Sequence, residues 1–161
     1  AQFLRTEGTI LSFDGVEVNS YLASVLSDFI RHRLLAAGRS FTFETVMSSP
    51  DKVEFMRSAR QQGFRTYLYF VATDDPEINI ERVRNRVLNG GIWTMEKIVE
   101  RYARSLALLP AAIEQSSRAY VFDNSGANNL LIAEISDGEG MELRADAVPH
   151  WFLPVLSLYQ A

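Results

Sequence analysis

The sequence predicts a single α/β domain, residues 1–161, built on a largely parallel sheet with helices on both faces. Three observations carry that expectation. Strand-like and helix-like stretches alternate along most of the chain, which is the rhythm of βαβ units. The helical stretches close at glycines and open at capping residues. The composition, 47% hydrophobic and 22% charged over 161 residues, suits one globular domain with a real core.

The elements follow in order. TILSF-DG-VEV reads as a short hairpin turning at Asp14-Gly15, a favourable turn dipeptide. NSYLASVLSDFIRHRLLAAG reads as a helix. Asn19 or Ser20 caps it, Leu22, Val25, Leu26, Phe29 and Ile30 form its apolar stripe, and Gly38 stops it. SFTFETVMS, residues 40–48, reads as a strand, and SSPDKVEFMRSARQQG as a second helix with Ser49 as cap, Pro50 at its first position and Gly63 at its end. FRTYLYFVAT (64–73), dense in aromatic and β-branched residues, is the clearest strand. Asp75-Pro76 starts a third helix, INIERVRNRVLNGG, which Gly90-Gly91 ends. A fourth helix covers Met95 to Ser117, with Pro110 marking a kink or break. RAYVFDNSG and NNLLIAEIS are two further strands, GEGMELRAD a returning hairpin strand, and VPHWFLPVLSLYQ a terminal apolar helix.

Composition narrows the function classes. The net charge of −4 argues against a nucleic-acid partner. No apolar run approaches the roughly 20 residues of a membrane span, and AQFLRTEG has no apolar core of a signal peptide, so a cytoplasmic location without a membrane partner is expected. Cysteine is absent, and His32 and His150 make no metal-ligand spacing, so no metal site is expected from this chain's residues.

Two features invite a functional reading. Glu44 sits within a run that otherwise reads as a buried strand, where an unpaired carboxylate is costly. Either the strand is an edge with a wet face, or the carboxylate is held at the lip of a site. In open α/β sheets ligands bind beyond the carboxyl ends of the strands, and three expected strands run out there into polar residues. These are Glu44 and Thr45, then Thr73, Asp74 and Asp75, then Asp123, Asn124 and Ser125.

The second feature is cationic. Between Arg82 and Arg104 lie six cations (Arg82, Arg84, Arg86, Lys97, Arg101, Arg104) against two anions, Glu96 and Glu100. Ile80, Val83 and Val87 face inward on the third helix and Ile98, Val99, Tyr102 and Leu106 on the fourth, so the arginines of the two helices are placed to converge. Arginine suits phosphate because its planar fork donates paired hydrogen bonds and stays charged. The bland alternative is a solvated helix face in which Glu81 and Glu100 pair with nearby arginines.

SFTFETVMS, GFRTYLYFVATDDPEINIERVRNRVLNGG, KIVERYARSLALLPAAI and AYVFDNSG occur in an order and spacing that resemble the zeta-toxin-like family of bacterial P-loop kinases, over Val18 to Ile135. The resemblance implies a P-loop-kinase-like α/β sandwich that uses ATP and Mg²⁺ to phosphorylate a UDP-N-acetyl-amino sugar, held in check by a small antitoxin protein. By resemblance, Glu44 of FETV is the substrate-binding carboxylate, with Thr45 beside it. Arg82 and Arg86 are lid-side arginines that reach the ATP phosphates and serve catalysis. Arg101 and Arg104 of ERYARSL lie in a shared motif and are further nucleotide-binding candidates. Asp123 and Asn124 of FDNSG are shared as well.

Two departures stand out. GGIWTMEKI has Ile92 where the family often has His. No G-x-x-x-x-G-K-[ST] cradle for phosphates occurs: the lysines are Lys52 and Lys97, and neither follows a glycine loop. By resemblance the family's P-loop strand, its catalytic Asp and its Mg²⁺-binding Ser/Thr would precede Ala1, so the chain is expected to correspond to the C-terminal two-thirds of such a kinase, with a sheet that lacks the N-terminal P-loop strand. The expectation is therefore a small-molecule kinase that is inactive as this chain. A catalytically dead binding module that keeps a ligand or antitoxin surface is the alternative, and an unrelated α/β domain with structural arginines is a third reading.

Overall fold

The structure, a computed structural model, describes residues 4–7, 10–13, 15, 19–87 and 95–160, with backbone alone for 4–7, 10–13 and 85–87. The chain divides into two compact units, Ala1–Glu44 and Thr45–Ala161.

In the first unit β1 (Leu4–Glu7) and β2 (Ile10–Phe13) pair antiparallel, with Glu7 opposite Ile10. This pairing precedes the expected hairpin at Asp14-Gly15 and does not test it. Asp14 and the expected strand VEV (16–18) lie outside the described residues.

Helix α1 (Ser20–Ala36) begins where the side chain of Asn19 accepts the Leu22 N–H at 3.0 Å. It ends at Gly38, whose φ of +64° lets its N–H reach Leu35 O while Arg39 N–H reaches Leu34 O. Those two bonds satisfy carbonyls that would otherwise be orphaned at the helix end. The expected apolar stripe stays largely open: Val25, Phe29 and Ile30 are exposed, and the buried residues are Leu35 and Arg31. Arg31 tolerates burial because Asp28 takes its guanidinium at 2.7 Å and the Phe43 ring covers it at 4.8 Å.

Residues 39–48 form no strand, which corrects the reading of SFTFETVMS. An extended run becomes a strand only when a neighbour takes its N–H and C=O groups. Among the described residues none of the strands pairs with it.

The second unit contains α2 (Asp51–Gln61), β3 (Tyr67–Ala72), α3 (Pro76–Val87), α4 (Met95–Glu114), β4 (Arg118–Asp123), β5 (Leu130–Ser136), β6 (Gly140–Leu143), a 3-10 turn at His150–Phe152 and α5 (Leu153–Ser157). Ser49 does not cap α2; Pro50 takes the position before the helix and no side chain caps it there. Gly63, with φ +84°, closes the helix as expected. α4 runs through Pro110 unbroken, although the missing proline N–H leaves the Leu106 carbonyl without its helical donor. The terminal helix is shorter than expected because Pro149 and Pro154 punctuate the apolar run. Gly90-Gly91 and Ile92 lie outside the described residues.

The sheet order is β3-β4-β5-β6. Only β3 and β4 are parallel; β4–β5 and β5–β6 are antiparallel, which corrects the largely parallel sheet. The connection lengths explain this. A parallel pair needs a long crossover, which α3 and α4 supply between β3 and β4. Residues 124–129 are too few for a second crossover, so β5 returns alongside. β6 follows through a tight turn with Asp137 at φ +52° and Gly138 at φ +75°.

Register assigns the faces. Phe70 pairs with Val121 and Val121 with Ala133, while Leu68 pairs with Ala119 and Ala119 with Ile135. These residues share one face, and against it pack Val53 of α2, Leu109, Ala112 and Ile113 of α4, and Trp151, Phe152 and Val155. Leu109, Ile113 and Phe152 have no exposed surface. The opposite face holds Tyr67, Tyr69 and Val71, all exposed, with Tyr69 stacked on Tyr120 at 5.0 Å. Among the described residues of this unit the core thus lies on one face of the sheet, not on both. Among the described residues no helix is long and apolar enough to cross a membrane.

Candidate functional site: the cleft at the carboxyl ends of β3 and β4

β3 and β4 run parallel with Ala72 beside Asp123, so the residues that follow each strand emerge side by side. Asn124 N–H bonds Ala72 O at 2.7 Å and so extends the ladder past the end of the sheet. The first turn of α3 lies next in the chain after β3, with Asp75 Oδ1 accepting the Glu77 N–H at 2.8 Å. That bond is the capping role expected of Asp75. Between these elements opens a cleft of about 230 Å³ lined by Thr73, Asn79, Arg82 and Asn124, with Val71, Ala72 and Val83 as its apolar wall.

The polar groups of the cleft are tied to one another. Thr73 is almost fully buried, at 2% exposure. Its Oγ1 donates to Asp75 O at 3.0 Å and accepts from Asn79 Nδ2 at 2.8 Å. Its carbonyl accepts the Tyr102 hydroxyl of α4 at 2.7 Å. The Tyr102 pKa lies above its ordinary value, because burial disfavours the phenolate and Asp74, Asp75 and Asp123 add negative charge nearby. Arg82 Nη2 donates to Asn124 O at 2.8 Å. The guanidinium is thereby held over the ends of both strands, with the rest of its fork available to an anion.

Asp123, the last residue of β4, organises the loop that follows it. Its Oδ1 accepts from Ser125 Oγ at 2.7 Å and its Oδ2 from Ser125 N–H at 3.2 Å. Ser125 Oγ in turn accepts the Asp74 N–H at 2.7 Å, joining the loops that follow β3 and β4. The expected rim of Thr73–Asp75 and Asp123–Ser125 is therefore present as a bonded structure.

Glu44 is an exposed residue at the end of the first unit, and it ends no strand. Thr45 begins the second unit, where its Oγ1 accepts the Met47 N–H at 3.1 Å and supports the positive φ of Met47. Arg86 belongs to α3, but its side chain lies outside the described residues. Arg101 and Arg104 do not line the cleft. Arg104 stands 3.9 Å from Glu100 on an exposed helix face, and Arg84 donates to Met95 Sδ at 3.1 Å. Of the arginines whose side chains are described, Arg82 is the one in the cleft. Among the described residues no three or more His, Cys, Asp or Glu converge as they would to hold a metal ion.

Sequence reasoning missed Tyr102 and Trp151 as parts of this arrangement, whereas Asn79 falls on the helix face of Arg82 by spacing. Tyr102 reads as one more apolar position of α4, and Trp151 as part of a terminal apolar run. Only the amphipathic character of the two rings, each carrying one polar hydrogen, hints that they need a polar partner when buried.

The Zeta toxin family model matches residues 16–134. An uncharacterized protein of Haemophilus influenzae is 32% identical over 60 residues, which are 37% of this chain and 43% of that relative. The match thus spans less than half the length of that relative. No solved structure matches the chain.

Proposed function

This chain belongs to the Zeta toxin family, and on that footing we propose that it serves ATP-dependent phosphoryl transfer to a hydroxyl of a sugar nucleotide. A UDP-N-acetyl-amino sugar is the substrate suggested by the family resemblance. The observation that carries the reading is Arg82, anchored at 2.8 Å to Asn124 O in a cleft at the carboxyl ends of two parallel strands. That is where open α/β sheets take their ligands. A cation fixed there suits the charge that spreads over a transferring phosphoryl group.

ATP supplies the phosphoryl group in this reading. The chain's own part is to bind and orient. Arg82 takes a phosphate oxygen, with Arg86 as a second candidate from the same helix. Asn79 and Thr73 form the polar wall beneath. Glu44, with Thr45, is assigned to the substrate on family resemblance, where a carboxylate accepts from a sugar hydroxyl or amide. Arg101 and Arg104 are assigned no contact. No described residue is assigned to Mg²⁺, and no step is routed through it. A cytoplasmic location and inhibition by a small antitoxin protein belong to the same reading.

The sequence contains no G-x-x-x-x-G-K-[ST]. A second reading is a binding module that holds these ligands without transfer. One set of experiments tests both. ATP and UDP-N-acetylglucosamine are titrated by calorimetry into the wild type, Arg82→Ala and Glu44→Gln. Loss of one charge-assisted hydrogen bond should weaken ATP about tenfold to a hundredfold in Arg82→Ala and leave the sugar nucleotide unaffected. Glu44→Gln should do the converse. Equal affinities in all three proteins would overturn the assignment. Transfer of label from γ-labelled ATP to the sugar nucleotide separates the kinase from the binding module.

A further inference from the structure

Trp151 lies outside the residues that the family model matches, yet its side chain bonds Asp123, the last residue of β4. Its Nε1–H donates to Asp123 Oδ1 at 3.1 Å. Its ring is 8% exposed and packs against Phe70 of β3 at 6.1 Å and Phe152 at 5.7 Å. A buried indole N–H needs an acceptor, and this one has found the carboxylate that organises the loop after β4.

We propose that Trp151 is a positioning residue for Arg82, acting through Asp123 and the peptide between Asn124 and Ser125. The inference rests on the reading of Arg82 as a phosphate-binding group. The N–H of that peptide unit belongs to Ser125 and donates to Asp123 Oδ2 at 3.2 Å. The C=O of the same unit belongs to Asn124 and accepts from Arg82 at 2.8 Å. In a trans peptide these two groups point in opposite directions, so fixing one fixes the other. A carboxylate on the N–H side and a guanidinium on the C=O side also polarise the same unit and strengthen both bonds.

The carboxylate is itself held from two directions. Ser125 Oγ donates to Oδ1 from within the loop, and Trp151 donates to the same oxygen from the core. The loop is tied to β3 by Asn124 N–H on Ala72 O and by Asp74 N–H on Ser125 Oγ, and Ser125 belongs to the loop it supports. Trp151, packed against two rings, comes from outside that loop. Its N–H adds a link from the core to the carboxylate that sets the Asn124–Ser125 peptide. Without it, Asp123 keeps its local turn and the ties to β3, but its carboxylate loses one of its two Oδ1 donors, and the Asn124 carbonyl is held less firmly toward Arg82.

The test uses Trp151→Phe, which keeps an aromatic ring against Phe70 and Phe152 and removes the donor. Proton–nitrogen NMR of the Arg82 guanidinium reads the coupling without any ligand. The wild type should show separate Nη–H signals from hindered rotation, and Trp151→Phe should show them averaged. Unchanged Arg82 signals would overturn the proposal. Titration with ATP then reads the consequence: Trp151→Phe should bind about threefold to tenfold more weakly, the effect of one lost hydrogen bond. In an Arg82→Ala background the same change should add nothing. A loss that persists in that background would overturn the coupling and assign Trp151 to packing alone. Averaged signals together with no ATP binding by the wild type would support the coupling and overturn the phosphate reading. Should Trp151→Phe fail to fold, Asp123→Asn reads the same link from the other end. It replaces one acceptor oxygen by a donor, and the same averaging of the Arg82 signals is expected.

Discussion

Replacing Tyr102 by Phe deletes one hydroxyl and leaves the ring in place between α4 and the end of β3. The hydroxyl donates to the carbonyl of Thr73 at 2.7 Å, and Thr73 has only 2% of its surface exposed. A neutral hydrogen bond contributes about 0.5–1.5 kcal/mol net, and a buried acceptor deprived of its donor costs about 1–3 kcal/mol. Because a carbonyl keeps its second lone pair, the expected loss is about 1–2 kcal/mol near neutral pH. The pH dependence is the sharper part. Burial first, then Asp74, Asp75 and Asp123, raise the Tyr102 pKa above 10.0. A group with a raised folded pKa contributes stability that is fully present below its unfolded pKa and lost as pH rises through the folded one. The stability gap between wild type and Tyr102→Phe should therefore be constant below pH 10.0 and close above it. Tyr159, whose pKa is raised by burial and then by Glu114, is present in both proteins and cancels in the difference. Urea unfolding followed by circular dichroism at a series of pH values measures the gap. A gap that stays level well into the alkaline range would show that the phenol is not held as described, whatever its size at neutral pH.

Further outcomes follow from the core and the turns. Ile113 has no exposed surface in the cluster between α4 and the sheet. Ile113→Ala removes three carbons at about 0.8 kcal/mol each and leaves a cavity, so a loss of about 3–4 kcal/mol should appear as a lower urea midpoint at unchanged slope. Gly63 and Gly138 both have positive φ, +84° and +75°, but an added Cβ meets open space at Gly63 and the Glu114 Cα at 3.0 Å at Gly138. Gly63→Ala should cost about 1–2 kcal/mol. Gly138→Ala should cost clearly more, because backbone must shift; thermal unfolding of the pair reads the order, and equal costs would refute the close approach.

Much of the element order was legible because it depends on neighbours in the chain. The ends of α1 and α2 follow from Gly38 and Gly63, which supply the left-handed turn that releases each helix. β3, β4 and β5 stand where aromatic and β-branched residues concentrate. The rim of Thr73–Asp75 and Asp123–Ser125 was legible for the same reason, as polar residues directly after two strands. The SFTFETVMS strand failed because alternation reports which residues tolerate a pleated backbone, not whether a neighbouring strand exists. The parallel sheet failed at β5, where the short connection from Asn124 to Asn129 outweighs the βαβ rhythm of the preceding segments. Spacing along α3 and α4 also treated their arginines alike.

The sequence by itself determined the family, since the ordered motifs survive without coordinates, and it determined the ends of α1, the close of α2 and most strands, where a few adjacent residues set the backbone. Tertiary structure alone decided which arginine matters to the cleft. Helical spacing brings Arg82, Arg101 and Arg104 to sides of their helices, but of these three Arg82 lines the cleft, where it finds the carbonyl of Asn124, 42 residues away. It also decided that Tyr102 and Trp151 are polar partners rather than filling. A buried N–H or O–H takes whatever acceptor the fold presents, and that acceptor is set by strand register and connection length, not by the residues beside it in the chain.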